Sequence, residues 1–195
     1  YPRIPLEKSP KTQPKQLYIH SLVNAYYLRN QKVIDSPGKV ILDAGCGSGY
    51  KSLILAGSNP GAKIVGVDIS SESVKLAKER LEYYGLDNAE FHVLSLEDLP
   101  KLNQPFDYIN CDELLYLLPD ITVGLKAMKA VLKPDGIIRT NLHSSLQRGD
   151  YFRAQKLFAM MGLMEGNPEE MEMEIVKDTM MALKDNVQLK AKTWT

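Results

Sequence analysis

Short apolar runs alternate with longer amphipathic stretches through the middle of the chain. Short apolar runs predict strands at residues 39–44, 63–69, 90–94, 106–111 and 136–142, of which the first two are expected to be buried. Apolar residues at helical spacing predict helices at residues 48–56, 70–84 and 121–132. Strands that alternate with helices form a parallel sheet with helices on both faces. We therefore predict an α/β fold with a doubly wound, mostly parallel sheet of at least five strands.

Both ends of the chain depart from this alternation. Residues 1–15 contain four prolines and predict an extended arm, and an amphipathic helix follows from Gln16 to about Val33. From residue 147 to about 189 the pattern predicts helices rich in Met and Glu. We divide the chain into three parts: the arm and N-terminal helix (1–36), the α/β core (37–146) and a helical extension (147–195), which we expect to pack on the core.

Composition narrows the choice of partners and compartment. The 24 basic and 24 acidic residues balance, so neither nucleic acid nor an anionic membrane is expected as the main partner. No apolar run approaches the roughly 18 residues of a membrane span. Cys46 and Cys111 lie outside any metal-ligand spacing and indicate free thiols in a cytoplasmic protein. Because the first residue is Tyr1, we expect the sequence to be part of a longer chain.

The most informative segment is a glycine loop that follows the first predicted strand. Gly45, Gly47 and Gly49 allow the main chain to lie close to a ligand, because no Cβ intervenes. The next strand ends at Asp68, where a carboxylate can accept hydrogen bonds from both hydroxyls of a ribose. Tyr50 replaces the third glycine of the dinucleotide-binding pattern. With Asp43 also at a strand end, these features favour a ligand with an adenosine and an amino group but no phosphates.

Two motifs here resemble those of a known family. The sequence Asp-Ala-Gly-Cys-Gly-Ser-Gly at 43–49, followed by Gly-Val-Asp-Ile-Ser at 66–70, is similar to the first two motifs of class I S-adenosylmethionine-dependent methyltransferases. Residues 94–100 and 106–116 resemble the third-strand and fourth-strand motifs of that family less strictly. The resemblance spans roughly residues 38 to 143 and implies S-adenosylmethionine as the cofactor.

The resemblance also implies which residues bind the cofactor. They are Asp43, Gly45, Cys46, Gly47, Gly49, Asp68, Ile69, Ser95, Leu96 and Cys111. The glycine loop would lie against the methionine moiety, whose amino group Asp43 and the Cys111 backbone would orient. Asp68 would accept from the ribose and Ile69 would pack on the adenine. Ser95, where the family usually has an acid, would accept from the adenine amino group beside the Leu96 backbone.

Methyl transfer needs alignment and exclusion of water, and it needs a base only if the acceptor must lose a proton. The family often has histidine at the position of Leu117, so a base at that position is excluded here. The remaining candidates for contact with the acceptor are His143, Tyr116 and Glu113. Each has a structural alternative, such as core packing for Tyr116 or a solvated position for Glu113. The methyl acceptor, a small molecule or a protein, is unidentified.

Several alternatives stay open. Ser95 and Leu117 depart from the family pattern and allow a non-catalytic module that binds S-adenosylmethionine or an adenosine. Tyr50 argues against a nicotinamide-dependent oxidoreductase. The methionines of the C-terminal helices favour ordinary core packing over a surface that covers the acceptor or binds a partner. We see no pair of strands after His143 to complete the usual sheet. Residues 1–5 resemble a segment that precedes bacterial methyltransferase domains joined to other modules, which implies fusion to or contact with another module.

Overall fold

The structure is a computed structural model that describes residues 14–163 and 166–193. The predicted arm, apart from Pro14 and Lys15, and the motif at residues 1–5 lie outside the described residues. The chain divides into two compact units, Tyr1–Leu142 and His143–Thr195. Each unit is described by itself.

Five parallel strands form the sheet of the first unit. They are β1 (Val40–Ala44), β2 (Lys63–Asp68), β3 (Ala89–Val93), β4 (Phe106–Cys111) and β5 (Leu132–Thr140), in the spatial order β3-β2-β1-β4-β5. The predicted doubly wound parallel sheet is confirmed. The order reverses between β1 and β4, where Leu42 pairs with Val65 on one side and Ile109 on the other. In such folds the crevice outside the carboxyl ends of the strands at this reversal is where ligands bind.

Helices cover both faces of this sheet. They are α1 (Pro14–Ile19), α2 (Leu22–Asn30), α3 (Tyr50–Ser58), α4 (Ser71–Tyr83) and α5 (Ile121–Val131), with 3-10 helices at Leu96–Leu102 and Leu115–Leu117. One face packs Leu42, Ile109 and Met128 beneath α5 and the first 3-10 helix. The other face packs Ile41 and Tyr108 beneath α2 and α3. Neighbouring residues such as Ile41 and Leu42 face opposite sides because side chains alternate along a strand.

The prediction of one continuous N-terminal helix is wrong, because the helix ends before His20 and restarts after Ser21. The Ser21 hydroxyl accepts from the Asn24 amide at 3.4 Å and caps α2. Buried Asn59 holds the break from the other side: it accepts from the Leu22 amide at 2.7 Å and donates to the His20 carbonyl at 3.0 Å. A polar side chain from α3's end therefore replaces the helical hydrogen bonds that the turn gives up.

The second unit is helical, as predicted. It contains α6 (Gly149–Met160), α7 (Glu169–Ala182) and α8 (Gln188–Thr193), and the described backbone from 143 to 193 has no strand. Phe158, Leu163 and Met180 form its small core. Met180 thus packs as expected, whereas Met160 and Met173 are 78% and 63% exposed. Among the described residues of either unit, no helix is both long and apolar enough to cross a bilayer.

Gly49 gives a direct test of how α3 and α4 pack. Its φ is 81°, and a Cβ there would lie 2.7 Å from Ala77 Cα on α4. We expect Gly49→Ala to destabilise the fold by about 2 to 4 kcal/mol in urea unfolding, because overpacking adds to backbone strain. Gly85→Ala is the matched control, since its φ is 68° but its Cβ would meet no atom within 4 Å. Gly85→Ala should lower the free energy of unfolding by about 1 kcal/mol. Equal losses in the two variants would contradict the close packing of Gly49 on Ala77.

Candidate functional site

The glycine loop between β1 and α3 has left-handed backbone at all three glycines. The φ angles of Gly45, Gly47 and Gly49 are 76°, 49° and 81°, values that strain any residue with a Cβ. A Cβ at Gly45 would lie 2.7 Å from Leu114 Cδ2, and a Cβ at Gly49 would lie 2.7 Å from Ala77 Cα. These two glycines are therefore needed for close packing. A Cβ at Gly47 would meet no atom within 4 Å. The main chain at Gly47 therefore borders open space.

Asp68 lies beside Gly47 at the carboxyl end of β2. Its Oδ2 accepts from the Gly47 amide at 2.9 Å, and its Oδ1 accepts from the Ser70 amide at 3.0 Å. The amides of Gly45 and Cys46 both donate to the Val67 carbonyl at 2.9 Å. The ends of β1 and β2 thus form one surface, in which half-buried main chain at Gly47 borders a carboxylate fixed by two backbone hydrogen bonds.

The other residues expected to contact the nucleoside lie near Asp68. Ile69 is 76% exposed, although it follows a buried strand. The Leu94 amide donates to the Asp68 carbonyl at 2.9 Å, which brings the end of β3 alongside. Ser95 precedes the first 3-10 helix, where Leu96 is buried. The structure therefore brings Asp68, Ile69 and Ser95 to one edge of the sheet.

Both cysteines are buried thiols at the ends of the two central strands. Burial raises the pKa of the Cys111 thiol to about 12 and also raises the pKa of Cys46. Such thiols stay protonated at neutral pH and act as small apolar side chains. The Cys111 carbonyl accepts from the Thr140 hydroxyl at 2.8 Å, which fixes the end of β4 against β5.

Two of the three residues expected to face the acceptor contact each other. Glu113 follows β4 with a φ of 58°, a strained conformation of the kind that clusters at functional sites. The Tyr116 hydroxyl donates to Glu113 Oε2 at 2.6 Å, and Asn141 contacts the other carboxylate oxygen. The Glu113 amide donates to Asn141 Oδ1 at 2.7 Å. Since Leu114 packs on Gly45, this pair lies on the loop that borders the glycine turn.

His143 is placed differently from the other two candidates. It is the first residue of the second unit, and its Nε2 lies 3.1 Å from an Arg148 guanidinium nitrogen of the same unit. The structure therefore brings Glu113 and Tyr116 together in the first unit. His143 belongs to the second unit, where it contacts Arg148.

Asp43 lies in the interior, behind the glycine loop. It is 1% exposed, and burial raises the pKa of its carboxyl group. The Ser52 hydroxyl donates to one oxygen at 2.6 Å and the Asn110 amide donates to the other at 2.9 Å. Arg139 in turn donates to Asn110 Oδ1 at 2.8 Å. A continuous polar path thus leads from Asp43 through β4 to β5.

Asp112 is the end of this path and the most densely paired carboxylate at the strand reversal. Arg139 donates to its Oδ1 at 2.5 Å, and Lys51 and His20 lie 3.2 Å and 3.4 Å from its Oδ2. Burial alone would raise the pKa of Asp112, but His20, Arg139 and Lys51 outweigh burial and hold it well below its usual range. The cluster ties the turn between α1 and α2 to the carboxyl edge of the sheet.

The sequence pattern alone does not group His20, Lys51, Asn110, Asp112 and Arg139 into one site. One signal was present, because Asn110 is a polar residue in a strand whose six residues are all buried, and a buried polar residue requires a partner. The partners are 27 to 92 residues apart along the chain, so local patterns could not pair them.

Similarity to known proteins extends over most of the chain. A family model described as a methyltransferase domain matches residues 35–191. A ubiquinone biosynthesis O-methyltransferase from Coxiella burnetii is 37% identical over 128 residues, 66% of this chain and 53% of that protein. The chain therefore spans about half the length of this curated relative.

Solved structures share the fold. An S-adenosylmethionine-dependent methyltransferase from Clostridium acetobutylicum has a TM-score of 0.56 at 22% identity, with 68% of this chain and 52% of that chain covered. PKMT2 from Rickettsia typhi, in complex with AdoHcy, has a TM-score of 0.55 at 23% identity, with 80% and 30% covered. At these identities the likeness shows the fold alone.

The Asp112 cluster predicts how stability depends on pH. Asp112→Asn should destabilise the fold by about 1 to 3 kcal/mol at pH 7, because Arg139 and Lys51, whose side chains are 28% and 37% exposed, lose the charge of their buried partner. Since folding lowers the pKa of Asp112, its contribution is complete above the unfolded value of about 3.9 and is lost as the pH falls through the folded value. The free energies of unfolding of Asp112→Asn and wild type, measured in urea across this pH range, should therefore converge only in acid.

The exposed residue Glu79 on α4 supplies the control. Glu79→Gln should leave the free energy of unfolding within about 0.5 kcal/mol at every pH. A gap between Asp112→Asn and wild type that persists unchanged into strong acid would show that the charge of Asp112 is not what stabilises the cluster.

Proposed function

Because this chain belongs to the methyltransferase-domain family, the class I S-adenosylmethionine-dependent methyltransferases, we propose that it binds S-adenosylmethionine and transfers the methyl group to an acceptor. The observation that carries the proposal is the open space at Gly47 beside the fixed carboxylate of Asp68. A nucleoside can approach the main chain there without meeting a Cβ, and its ribose hydroxyls can donate to a preorganised acceptor.

The residues present fit this cofactor. We assign its binding to Asp43, Gly45, Cys46, Gly47, Gly49, Asp68, Ile69, Ser95, Leu96 and Cys111. The exposed side chain of Ile69 offers an apolar surface for a flat base next to the carboxylate that holds the sugar. A fixed carboxylate beside the loop would repel a phosphate, which argues for a nucleoside without phosphates. Asp43, enclosed by Ser52 and Asn110, acts from within by holding the loop and the end of β4 in position.

When bound, S-adenosylmethionine would supply an electrophilic methyl group on a sulfonium, and in-line transfer of that group to the acceptor would break the methyl–sulfur bond and release S-adenosylhomocysteine. The protein must align the acceptor and exclude water. We propose that Glu113 takes a proton from the acceptor and that Tyr116, which donates to Glu113 at 2.6 Å, orients its carboxylate. Glu113 suits this task because its backbone and one oxygen are held by Asn141. His143 stays a third candidate for contact with the acceptor.

An oxygen is the acceptor atom that we favour. A carboxylate placed to remove a proton is useful when a hydroxyl is methylated. The Coxiella burnetii relative is named as an O-methyltransferase, which supports the same choice. We further propose a cytoplasmic location, since two buried free thiols fit a reducing compartment. Fusion to or contact with another module stays a prediction.

A second candidate function is a module that binds the cofactor without transferring its methyl group. Two departures from the family pattern favour it: the uncharged Ser95 and the 66% exposed Leu117, which replaces a histidine. This candidate shares the whole cofactor site with the first. The two differ only in whether the Glu113–Tyr116 pair acts on an acceptor.

The cofactor site is tested by removing the ribose ligand. Asp68→Ala should weaken binding of S-adenosylmethionine by about 1 to 3 kcal/mol in calorimetry, because buried hydroxyls lose their acceptor. Asp87→Ala, an exposed aspartate between α4 and β3, is the control and should bind as wild type does. Unchanged affinity in Asp68→Ala would refute the placement of the ribose.

Gly47→Ala probes the same space from the loop side. Its added methyl group enters only open space, so we expect a folded protein with a strain of about 1 kcal/mol. The methyl group would occupy volume that we assign to the cofactor. Affinity for S-adenosylmethionine should therefore fall at least as far as in Asp68→Ala, and wild-type affinity would place the cofactor elsewhere.

Turnover separates the two candidate functions. Production of S-adenosylhomocysteine should rise above background with a panel of hydroxylated small molecules, and Glu113→Gln should lower that rate by about 100-fold or more. Cofactor affinity should be unchanged in Glu113→Gln, since Glu113 is assigned to the acceptor. Equal turnover by Glu113→Gln and wild type would remove Glu113 from the mechanism, and tight binding without turnover on any acceptor would favour the second candidate.

A further inference from the structure

Arg80 is a buried cation in the last turn of α4 that has no part in the function proposed above. It is only 7% exposed. Within the described part of the chain, its one polar contact is a hydrogen bond from Nε to the Ser48 carbonyl at 2.8 Å. Burial of a charge costs free energy unless a partner compensates it. A buried guanidinium whose partner is a single carbonyl is therefore a poor device for stability alone.

The carbonyl that Arg80 contacts belongs to the glycine loop. Ser48 precedes α3, and among the described residues no backbone amide donates to its carbonyl. The hydrogen bonds of α3 begin one residue later, where the Gly49 carbonyl accepts from the Leu53 amide at 3.0 Å. A backbone carbonyl outside the helix needs another donor. Arg80 is that donor.

The peptide group between Ser48 and Gly49 is held at both ends. Arg80 donates to its oxygen, and its N–H, the amide of Gly49, donates to the Cys46 carbonyl at 2.9 Å. Because a peptide group is planar, two such hydrogen bonds define its orientation. The main chain of Gly47, where open space borders the loop, is one residue away.

α4 contacts the glycine loop at two points on one face. A Cβ at Gly49 would lie 2.7 Å from Ala77 Cα, and Arg80 reaches Ser48 from the next turn. Residues three apart lie on the same side of a helix, and both Ala77 and Arg80 belong to the buried face of α4. The packing contact sets the distance between α4 and the loop, and the hydrogen bond sets the orientation of the loop.

We propose that Arg80 is a positioning residue for the cofactor. Asp68 holds the Gly47 amide at 2.9 Å and Arg80 holds the peptide after Ser48, so the two together keep the main chain at Gly47 ready for a nucleoside. A loop that is ordered before binding loses little conformational entropy when the ligand arrives. Arg80 acts through Ser48 and touches no ligand itself. This inference rests on the proposed function, since it takes the cofactor to lie over Gly47.

Removing the guanidinium tests this role. Arg80→Met keeps a long apolar side chain but has no donor, so its affinity for S-adenosylhomocysteine in calorimetry should fall by about tenfold. Arg80→Lys retains a charged donor and should bind more tightly than Arg80→Met. Lys78→Met is the control, because it removes the same charge from an exposed position on α4 and should bind as wild type does.

A role in stability alone would give a different result. The affinities are compared where urea unfolding shows that each variant is fully folded, so lower stability by itself leaves them unchanged. Hydrogen exchange of the ligand-free protein is a second readout. In Arg80→Met the amides of Gly47 and Gly49 should exchange about tenfold faster than in wild type, whereas amides within β1 and β2 should keep their rates. Equal acceleration throughout the first unit would contradict the proposal.

A second variant keeps the test decisive if Arg80→Met does not fold. Arg80→Gln also removes the guanidinium, and it should show the same loss of affinity. Wild-type affinity in a folded Arg80→Met or Arg80→Gln would overturn the proposal. Failure of both variants to fold would overturn it as well, because Arg80 would then act on the whole fold.

The wild-type protein separates failure of this inference from failure of the proposed function. If wild type binds no S-adenosylhomocysteine, the proposed function is wrong and the role of Arg80 falls with it. If wild type binds and the Arg80 variants bind equally well, only the positioning role is wrong.

Discussion

The left-handed turn after β1 determines what the edge of the sheet can bind. Three glycines adopt positive φ within five residues, which no other residue type does without strain. Two of them let Leu114 and Ala77 approach, so the turn is enclosed by its own fold. Only at Gly47 does the main chain border open space, and there its amide is held by Asp68. Half-buried backbone and a fixed carboxylate are therefore products of one local conformation.

A second constraint links this turn to the N-terminal helices. Asp43 and Asp112 are joined through Asn110 and Arg139, and Asp112 reaches His20 in the turn before α2. The helices that precede the sheet thus stabilise the strand ends that carry the proposed site. Breaking the pairing of Asp112 would uncouple α1 and α2 from the glycine turn as well as weaken the fold.

Periodic patterns predicted the fold well because each strand and helix carries its own signal. The three most buried strands, β1, β2 and β4, lie within one residue of their predicted ranges, since buried parallel strands have continuous apolar runs. β5 is not buried, and it begins at Leu132, four residues before its predicted start. The break at His20 was missed because the apolar spacing continues through it, while Asn59 supplies the hydrogen bonds from a distance. The glycine turn and Asp68 were identified because their spacing along the chain is short. The Asp112 cluster depends on contacts across strands and helices, which no local pattern contains.

The central claim is that a nucleoside lies over Gly47 with its ribose on Asp68. The most direct measurement is a crystal structure of the chain with S-adenosylhomocysteine. The account predicts that both ribose hydroxyls lie within about 3.2 Å of the Asp68 carboxylate oxygens and that the ligand covers the main chain of Gly47. Ligand density at any site away from the glycine turn would contradict it.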